Sequence, residues 1–120
     1  MPAGEVTAKQ QLRMRAAVTQ AEQTTGLQFS VYVGVLAPDP RTAAEGLHAR
    51  LADPSATVLV AIDPDARAVE VVTGSAAARR VDERGCALAV GTMVSQFATG
   101  RLVDGVVDGL AALAAHTRPG

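Results

Sequence analysis

The sequence predicts an α/β fold: a three-layer α/β/α sandwich in which a small mixed sheet carries helices on both faces. Residues 57–62 form a continuous apolar run, which is typical of a central strand covered on both faces. Residues 68–73 form a second run, rich in β-branched residues, and the short connection between the runs can join only antiparallel neighbours. Amphipathic helices are expected before and after this hairpin.

The connection inside the hairpin has the composition of a turn. Asp63 is suited to start a turn, and Pro64 presets its own φ angle. A cation held by Asp63 and Asp65, close to where Asp39 should lie, is the alternative. Asp-Pro-Asp is common in turns, so we predict a turn rather than a metal site here.

The segment before the hairpin predicts a helix and a strand. Thr7 and Gln10 have the spacing of a capping box, which predicts a helix over residues 8–24. Gly26 ends this helix, and residues 27–36 alternate in polarity as a strand does. The predicted apolar stripe of the helix consists of Leu12, Met14, Ala17, Val18 and Ala21.

A second helix is predicted between the first strand and the hairpin. Asp39 is a favourable N-cap, Pro40 fits the first helical position, and the helix should end near Ala52. Strand, helix and strand in succession imply a right-handed crossover. The first strand should therefore lie parallel to residues 57–62, and the hairpin adds an antiparallel strand.

The C-terminal part of the chain predicts helices. Ser75 is expected to cap a short helical turn, and Asp82 to cap a helix over residues 83–99. A last helix should cover residues 101–116, with two glycines that allow close packing. These glycines are Gly105 and Gly109, and the inward residues expected of the preceding helix are Cys86, Ala89, Val90, Met93, Val94 and Phe97.

Length and composition predict one soluble domain. Residues 7–116 should form it, between flexible tails at residues 1–6 and 117–120. A net charge of −1 gives no attraction to nucleic acid. No apolar stretch reaches the roughly 18 residues of a transmembrane segment, and Cys86, the sole cysteine, excludes an internal disulfide. We therefore expect a cytoplasmic protein.

Three segments carry a resemblance to a known family: residues 25–34, 58–74 and 81–113. In these three segments the chain resembles the TPM-domain family. The family is named for thylakoid-lumen phosphatase-like, photosystem-repair and receptor-associated members. It is most similar to an actinobacterial subgroup of stand-alone proteins of unknown function. The resemblance implies an α/β/α sandwich and, in some members, calcium binding or weak acid-phosphatase activity. Arg101 follows Gly100 where many relatives carry an acidic residue, which argues against the phosphatase chemistry.

A calcium site is the first candidate for chemistry. The predicted strand directions bring Asp53, Gly74, Ser75 and Asp82 to one rim of the sheet, and calcium needs several oxygen ligands at once. The alternative is that Asp53 ends a helix while Ser75 and Asp82 cap helices. Capping explains each residue by its local position.

An anion site is the second candidate. Arg79 and Arg80 lie shortly after Gly74 and Ser75, so together they could bind an anion such as phosphate. A solvated basic patch is the alternative and the simpler interpretation.

Other residues that can carry chemistry have simpler explanations. Asp104 and Asp108 share one helical face, which indicates a solvated surface. His48 and His116 lack a second ligand at zinc spacing and are predicted at the surface. Cys86 is predicted to be a small core residue.

Three functions remain open from the sequence. The favoured one is a non-catalytic interaction or ligand-binding module that acts through a rim or groove at the sheet edge. A weak divalent-cation-dependent acid phosphatase, with Asp53 and Asp82 as ligands, is the alternative. The third is self-association across an exposed third strand. A protein partner or a second copy is therefore the expected binding partner.

Overall fold

The computed structural model describes residues 6–36 and 38–120. Three strands, five α-helices and one short 3-10 helix follow one another in these residues. Their bounds are α1 Ala8–Thr25, β1 Gln28–Val33, α2 Pro40–Ala49, the 3-10 helix Pro54–Ala56, β2 Thr57–Asp63, β3 Ala68–Thr73, α3 Ser75–Ala78, α4 Glu83–Phe97 and α5 Leu102–Ala115.

The three strands form one sheet in the order β1-β2-β3. β1 runs parallel to β2, and β3 runs antiparallel to it, so the predicted crossover and hairpin are both confirmed. Every residue of β2 is buried, as expected of a central strand. One row across the sheet joins Val31 on β1, Val60 on β2 and Val71 on β3.

Helices cover both faces of the sheet, which confirms the three-layer prediction. The face that carries Val60 packs against α1 and α4, and α5 lies between these two helices. The opposite face, which carries Leu59, packs against α2. Alternation along β2 therefore divides its side chains between two cores. None of the helices in the described part of the chain combines the length and hydropathy needed to cross a membrane.

The capping box at the start of α1 forms as predicted. Thr7 Oγ1 accepts a hydrogen bond from the Gln10 amide at 3.1 Å, and Gln10 Oε1 accepts one from the Thr7 amide at 3.0 Å. Gly26, with φ of 77°, ends the helix. Leu12 was predicted in the buried stripe, but it is 64% exposed. It lies two positions before Met14, about 200° around the helix from the stripe.

α2 is shorter than predicted. The Asp39 carboxylate caps its first turn by accepting hydrogen bonds from the amides of Arg41 and Thr42. The helix ends at Ala49, because the amides of Arg50 and Leu51 bond to carbonyls three residues back, which tightens the last turn. Residues 54–56 then form a separate 3-10 helix.

His48 lies inside the fold and not at the surface as predicted. Only 8% of it is exposed, and its Nε2 lies 3.0 Å from the Thr57 carbonyl oxygen. His48 is four residues after the fully buried Ala44, so the two share the side of α2 that faces the sheet. The hydrogen bond to β2 satisfies the buried ring nitrogen.

The two last helices pack closely, as the paired glycines predicted. A Cβ atom on Gly105 would lie 2.5 Å from Phe97 Cε1, and one on Gly109 would lie 2.5 Å from Met93 Cγ. α4 ends at Phe97, two residues earlier than predicted. Val94 was predicted to face inward but is 46% exposed, because the packed side of α4 runs through Ala89 and Met93.

Both predicted tails lie at least partly among the described residues. Of residues 1–6, the structure describes Val6 alone. Near the C-terminus, Val81 and Thr117 form an antiparallel bridge, and the Arg118 amide donates to the Arg80 carbonyl at 2.8 Å. The C-terminal residues are thus attached to the loop between α3 and α4, and their flexibility stays a prediction.

Candidate functional site

At the rim predicted from Asp53, Gly74 and Ser75, two short helices pack against each other: the 3-10 helix and α3. The Gly74 amide donates to the Thr57 carbonyl at 3.1 Å, and a Cβ atom on Gly74 would lie 1.8 Å from the Pro54 carbonyl oxygen. Gly74 is therefore needed because backbone passes directly beside it. The Asp53 carbonyl accepts a hydrogen bond from Thr57 Oγ1 at 2.5 Å.

Ser75 does not cap α3 as predicted. Gly74 occupies the N-cap position, and Ser75 is the first helical residue. The two hydroxyls of Ser55 and Ser75 lie 2.9 Å apart, and Ser55 Oγ also accepts from the Ala76 amide at 3.2 Å. The serine that bonds to the start of α3 therefore comes from the preceding 3-10 helix.

Asp82 has the capping role that its position predicted. Its Oδ1 accepts a hydrogen bond from the Gly85 amide at 2.7 Å. Within residues 6–36 and 38–120, no three side chains of the His, Cys, Asp and Glu types come together as a metal site would require. The calcium site at Asp53 and Asp82, and the phosphatase activity that would depend on it, stay predictions.

The predicted anion site overlaps a contact with the C-terminal residues. Arg80 Nε donates to the Arg118 carbonyl at 2.9 Å, and the Arg118 guanidinium donates to the Arg79 carbonyl. These bonds fix one side of Arg80. Anion binding at Arg79 and Arg80 stays a prediction.

Two other candidate residues, Asp63 and Cys86, have no role in chemistry that the structure shows. The Asp63 carboxylate, 5% exposed, accepts from the Leu36 amide at 3.0 Å and from the Ala66 amide at 3.2 Å, so it ties the segment after β1 to the hairpin turn. Burial raises the pKa of the Cys86 thiol, and the Asp82 charge raises it further. The thiol is therefore protonated at neutral pH and is a poor nucleophile.

The two acidic residues on α5 bond to neighbouring helices. Asp104 pairs with Arg13 at 2.5 Å, and Asp108 accepts from Gln96 Nε2 at 2.9 Å. Both bonds lie at the protein surface, in agreement with the predicted solvated face.

A groove between α1 and β1 was not singled out from the sequence. Its volume is about 640 Å³, and six of its nine lining residues are apolar, although polar atoms contribute more of the surface exposed in it. α1 forms one wall and the outer side of β1 forms the other. The lining residues are Val6, Gln11, Met14, Arg15, Val18, Phe29, Ser30, Val31 and Val33.

The backbone of β1 faces this groove with unused hydrogen-bonding groups. The Gly34 amide donates to the Ile62 carbonyl at 2.9 Å, so alternate residues from Gly34 backwards face β2. The residues between them point outward, as the Phe29 amide does when it donates to Glu22 Oε2 at 3.0 Å. The backbone amides and carbonyls of Val31 and Val33 also point away from β2. They form no hydrogen bond with any of the residues that the structure describes.

β3, at the other edge of the sheet, is partly blocked. Arg41 Nη1 donates to the Val71 carbonyl at 2.8 Å and lies 3.5 Å from Glu70 Oε1. α2 and α4 also contact β3 on its two faces. β1 is consequently the more accessible edge.

These features define the class of the protein: a three-layer α/β/α domain whose more accessible sheet edge, β1, lies beside a groove. Residues 4–114 match the profile of a family described as "Domain of unknown function (DUF5130)". The chain belongs to this family. The resemblance to the TPM family stays a prediction.

Similar proteins have been identified in mycobacteria. The chain is 33% identical over 104 residues to "Uncharacterized protein Rv2468c" of Mycobacterium tuberculosis strain H37Rv, and equally to "Uncharacterized protein MT2543" of strain CDC 1551. The alignment covers 87% of this chain and 62% of each relative. The chain thus spans less than two thirds of these relatives.

Solved structures share the fold at low sequence identity. BA42 protein from Bizionia argentinensis superposes with a TM-score of 0.80 at 18% identity, covering 96% of this chain and 86% of that one. The N-terminal domain of a protein from P. gingivalis gives 0.80 at 15% identity, covering 95% of this chain and 77% of that one. The N-terminal domain of cg2496 protein from Corynebacterium glutamicum gives 0.77 at 11% identity, covering 95% and 75%. At these identities the likeness concerns the fold alone.

Proposed function

We propose that this domain is a non-catalytic interaction module that binds an extended polypeptide segment as a fourth strand along β1. The observation that carries the proposal is the pairing of an accessible strand edge, at Val31 and Val33, with the groove beside it. An extended peptide that adds to a sheet edge gains main-chain hydrogen bonds, and side-chain pockets give it specificity. Both parts are present along β1.

The energetics favour a moderate, reversible interaction. Each main-chain hydrogen bond contributes about 0.5–1.5 kcal/mol net, because water is displaced from both partners. The apolar walls at Met14, Val18 and Val31 add burial worth roughly 25 cal/mol per Å² of apolar surface. Ordering a flexible peptide offsets part of this gain. Specificity would therefore come from the groove more than from the strand edge.

The lining of the groove supports binding rather than turnover. Among the described residues that line it there is no carboxylate, imidazole or thiol. Hydrolytic chemistry usually relies on such a group as base or nucleophile, or on a metal ion. The one hydroxyl, that of Ser30, has no base among the lining residues.

A single extended strand suits this groove better than the edge of a second copy. α1 forms a wall along β1, and Arg15 lies on that wall. A symmetric contact between two copies would use the same patch on both subunits. It would therefore bring a second helix and a second positive charge into the same seam.

The test compares proline substitutions at the two edges of the sheet. Val31→Pro removes an outward amide donor beside the groove and leaves the bonds to β2 intact. Val71→Pro makes the same change in the same row at the opposite edge. Proline is tolerated on edge strands when its missing donor faces away from the sheet. Circular dichroism confirms folding of both variants.

Binding peptides are selected with the parent protein from a random library of peptides about ten residues long, the upper range of a strand. Val31→Pro should lower the affinity for the selected peptides by about tenfold or more, and Val71→Pro should lower it by less than about twofold. Val18→Asp places a charge on the α1 wall and leaves the sequence of β1 unchanged. It should also lower the affinity for these peptides. Failure to select any binder, or equal affinity for the parent and a folded Val31→Pro, would refute the proposal.

A further inference from the structure

We infer that the segment bound along β1 carries a carboxylate that pairs with Arg15, between apolar residues that contact the walls of the groove. This inference rests on the proposed function and specifies the chemistry of its partner. It depends on the charges in and around the groove, which differ between the two ends.

Arg15 is available for an external partner. It is exposed, it lines the groove, and it makes no ion pair with any residue between 6–36 or 38–120. Arg13, two positions earlier on α1, pairs with Asp104 of α5. The two arginines therefore have different roles. Arg13 links α1 to α5, and Arg15 faces the groove.

The two ends of the groove differ in electrostatic character. Two residues separate α1 from β1, and the Phe29 amide bonds to Glu22 near the end of α1, so β1 runs back along α1 in the opposite direction. Glu22 lies beside the end of the groove that Phe29 lines, because its Oε2 accepts the Phe29 amide hydrogen at 3.0 Å. Arg15 lies seven residues earlier on α1, about 10 Å along the helix and towards Val33.

This asymmetry predicts where the carboxylate binds. A carboxylate near Arg15 is attracted, whereas one near Glu22 meets a like charge. The separation of about 10 Å corresponds to about three residues of an extended strand. The preference for an acidic residue should thus depend on its position in the bound segment.

The magnitude follows from the exposure of Arg15. An exposed ion pair changes affinity by about 1.5-fold to fivefold, and salt screens it. Reversing the charge of Arg15 replaces attraction by repulsion, so the expected change is about threefold to tenfold. The effect should shrink as salt is raised from about 0.05 to 0.5 M, because the Debye length falls.

The test uses synthetic peptides of about eight residues that alternate valine and threonine, a length within the range of natural strands. One valine position at a time is replaced by aspartate, asparagine or lysine. Fluorescence anisotropy measures the affinity of each peptide for the parent protein, for Arg15→Glu and for Arg84→Glu. Arg84 is exposed at the start of α4, so this control makes the same change in net charge away from the groove.

At one position, the parent should bind the aspartate peptide about threefold more tightly than the asparagine peptide. Arg15→Glu should reverse this order and favour lysine, while Arg84→Glu should keep it. Equal affinities for aspartate and asparagine at every position, or the same effect of both arginine variants, would overturn the inference.

The asparagine peptides separate failure of this inference from failure of the proposed function. If they bind the parent but not Val31→Pro, peptide addition along β1 stands and only the charge preference is wrong. If no peptide, including those selected from the library, binds in a way that depends on Val31, both the proposed function and the charge preference are wrong.

Discussion

The two edges of the sheet differ although they share one row of residues. Val31 and Val71 are the same residue type, and both pair with Val60. At Val71 the outward carbonyl bonds to the Arg41 guanidinium, whereas at Val31 the outward groups face a groove. Proteins commonly protect edge strands against unwanted pairing. The edge without such protection, β1, is the one that the proposed function assigns to a partner.

This comparison changes the expectation for self-association. Pairing of two copies across the third strand was the third of the three functions that the sequence left open. Arg41 occupies the carbonyl that such pairing would use, and α2 and α4 contact the same strand. The structure therefore argues against β3 as the edge at which two copies pair. β1 is the more accessible edge.

The largest effect is expected at the residue that both edges share. Val60 is fully buried between Val31 and Val71, so Val60→Asp places an unpaired charge in the central strand. The cost is several kcal/mol, and we expect the domain to unfold. Circular dichroism would check this, and a variant that folds like the parent would show that β2 is not the centre of the domain.

A smaller loss is expected where the two edges are linked. The Asp63 carboxylate joins the Leu36 amide, after β1, to the hairpin turn before β3. Asp63→Ala leaves the buried Leu36 amide without its partner and should lower the free energy of unfolding by about 1–3 kcal/mol in urea denaturation. Asp65→Ala, at the exposed position of the same turn, is the matched control and should change it by less than about 0.5 kcal/mol. Equal losses would contradict the proposed link.

Removing the protection of β3 should cost still less. Arg41→Ala loses a partly exposed hydrogen bond to the Val71 carbonyl, worth about 1 kcal/mol in the free energy of unfolding. Peptide affinity along β1 should stay within about twofold of the parent. Arg50→Ala, at the other end of α2, is the control for loss of an exposed arginine. Loss of peptide binding in Arg41→Ala would place the binding edge at β3.

The smallest effect is expected at the surface pair that joins α1 to α5. Asp104→Ala removes the partner of Arg13, and exposed ion pairs contribute about 0.2–1 kcal/mol. The α1 wall is held mainly by buried residues such as Ala21 and Leu110, so peptide affinity should not change. Thermal unfolding and anisotropy would check both statements, and a large loss of affinity would mean that the ion pair positions the groove.

The sequence predicted those features that depend on neighbours in the chain. Thr7, Asp39 and Asp82 act as helix caps because capping is a local geometry, and the run of β2 was recognisable from its unbroken apolar character. Leu12 and Val94 were misplaced because their apolar character was taken to mean burial, although Leu12 lies on the far side of α1 from the stripe and Val94 lies outside the packed side of α4.

The candidate site was harder to predict, since it depends on residues far apart in the chain. Arg15 and Val33 line one groove only because α1 folds back along an edge strand. The protection of β3 depends on Arg41, which lies thirty positions before Val71. His48 was placed at the surface for a similar reason: its partner, the Thr57 carbonyl, belongs to another element.

Amide hydrogen exchange at Val31 and Val33 tests the central claim most directly. The protein is measured by NMR alone and with a peptide selected from the library. If the peptide adds to β1, exchange at these two outward amides should slow by about tenfold or more in the complex, because each gains a hydrogen bond, while Val69 and Val71 stay unchanged. Unaltered exchange at Val31 and Val33 with the peptide bound, or slowing at Val69 and Val71 instead, would contradict the account.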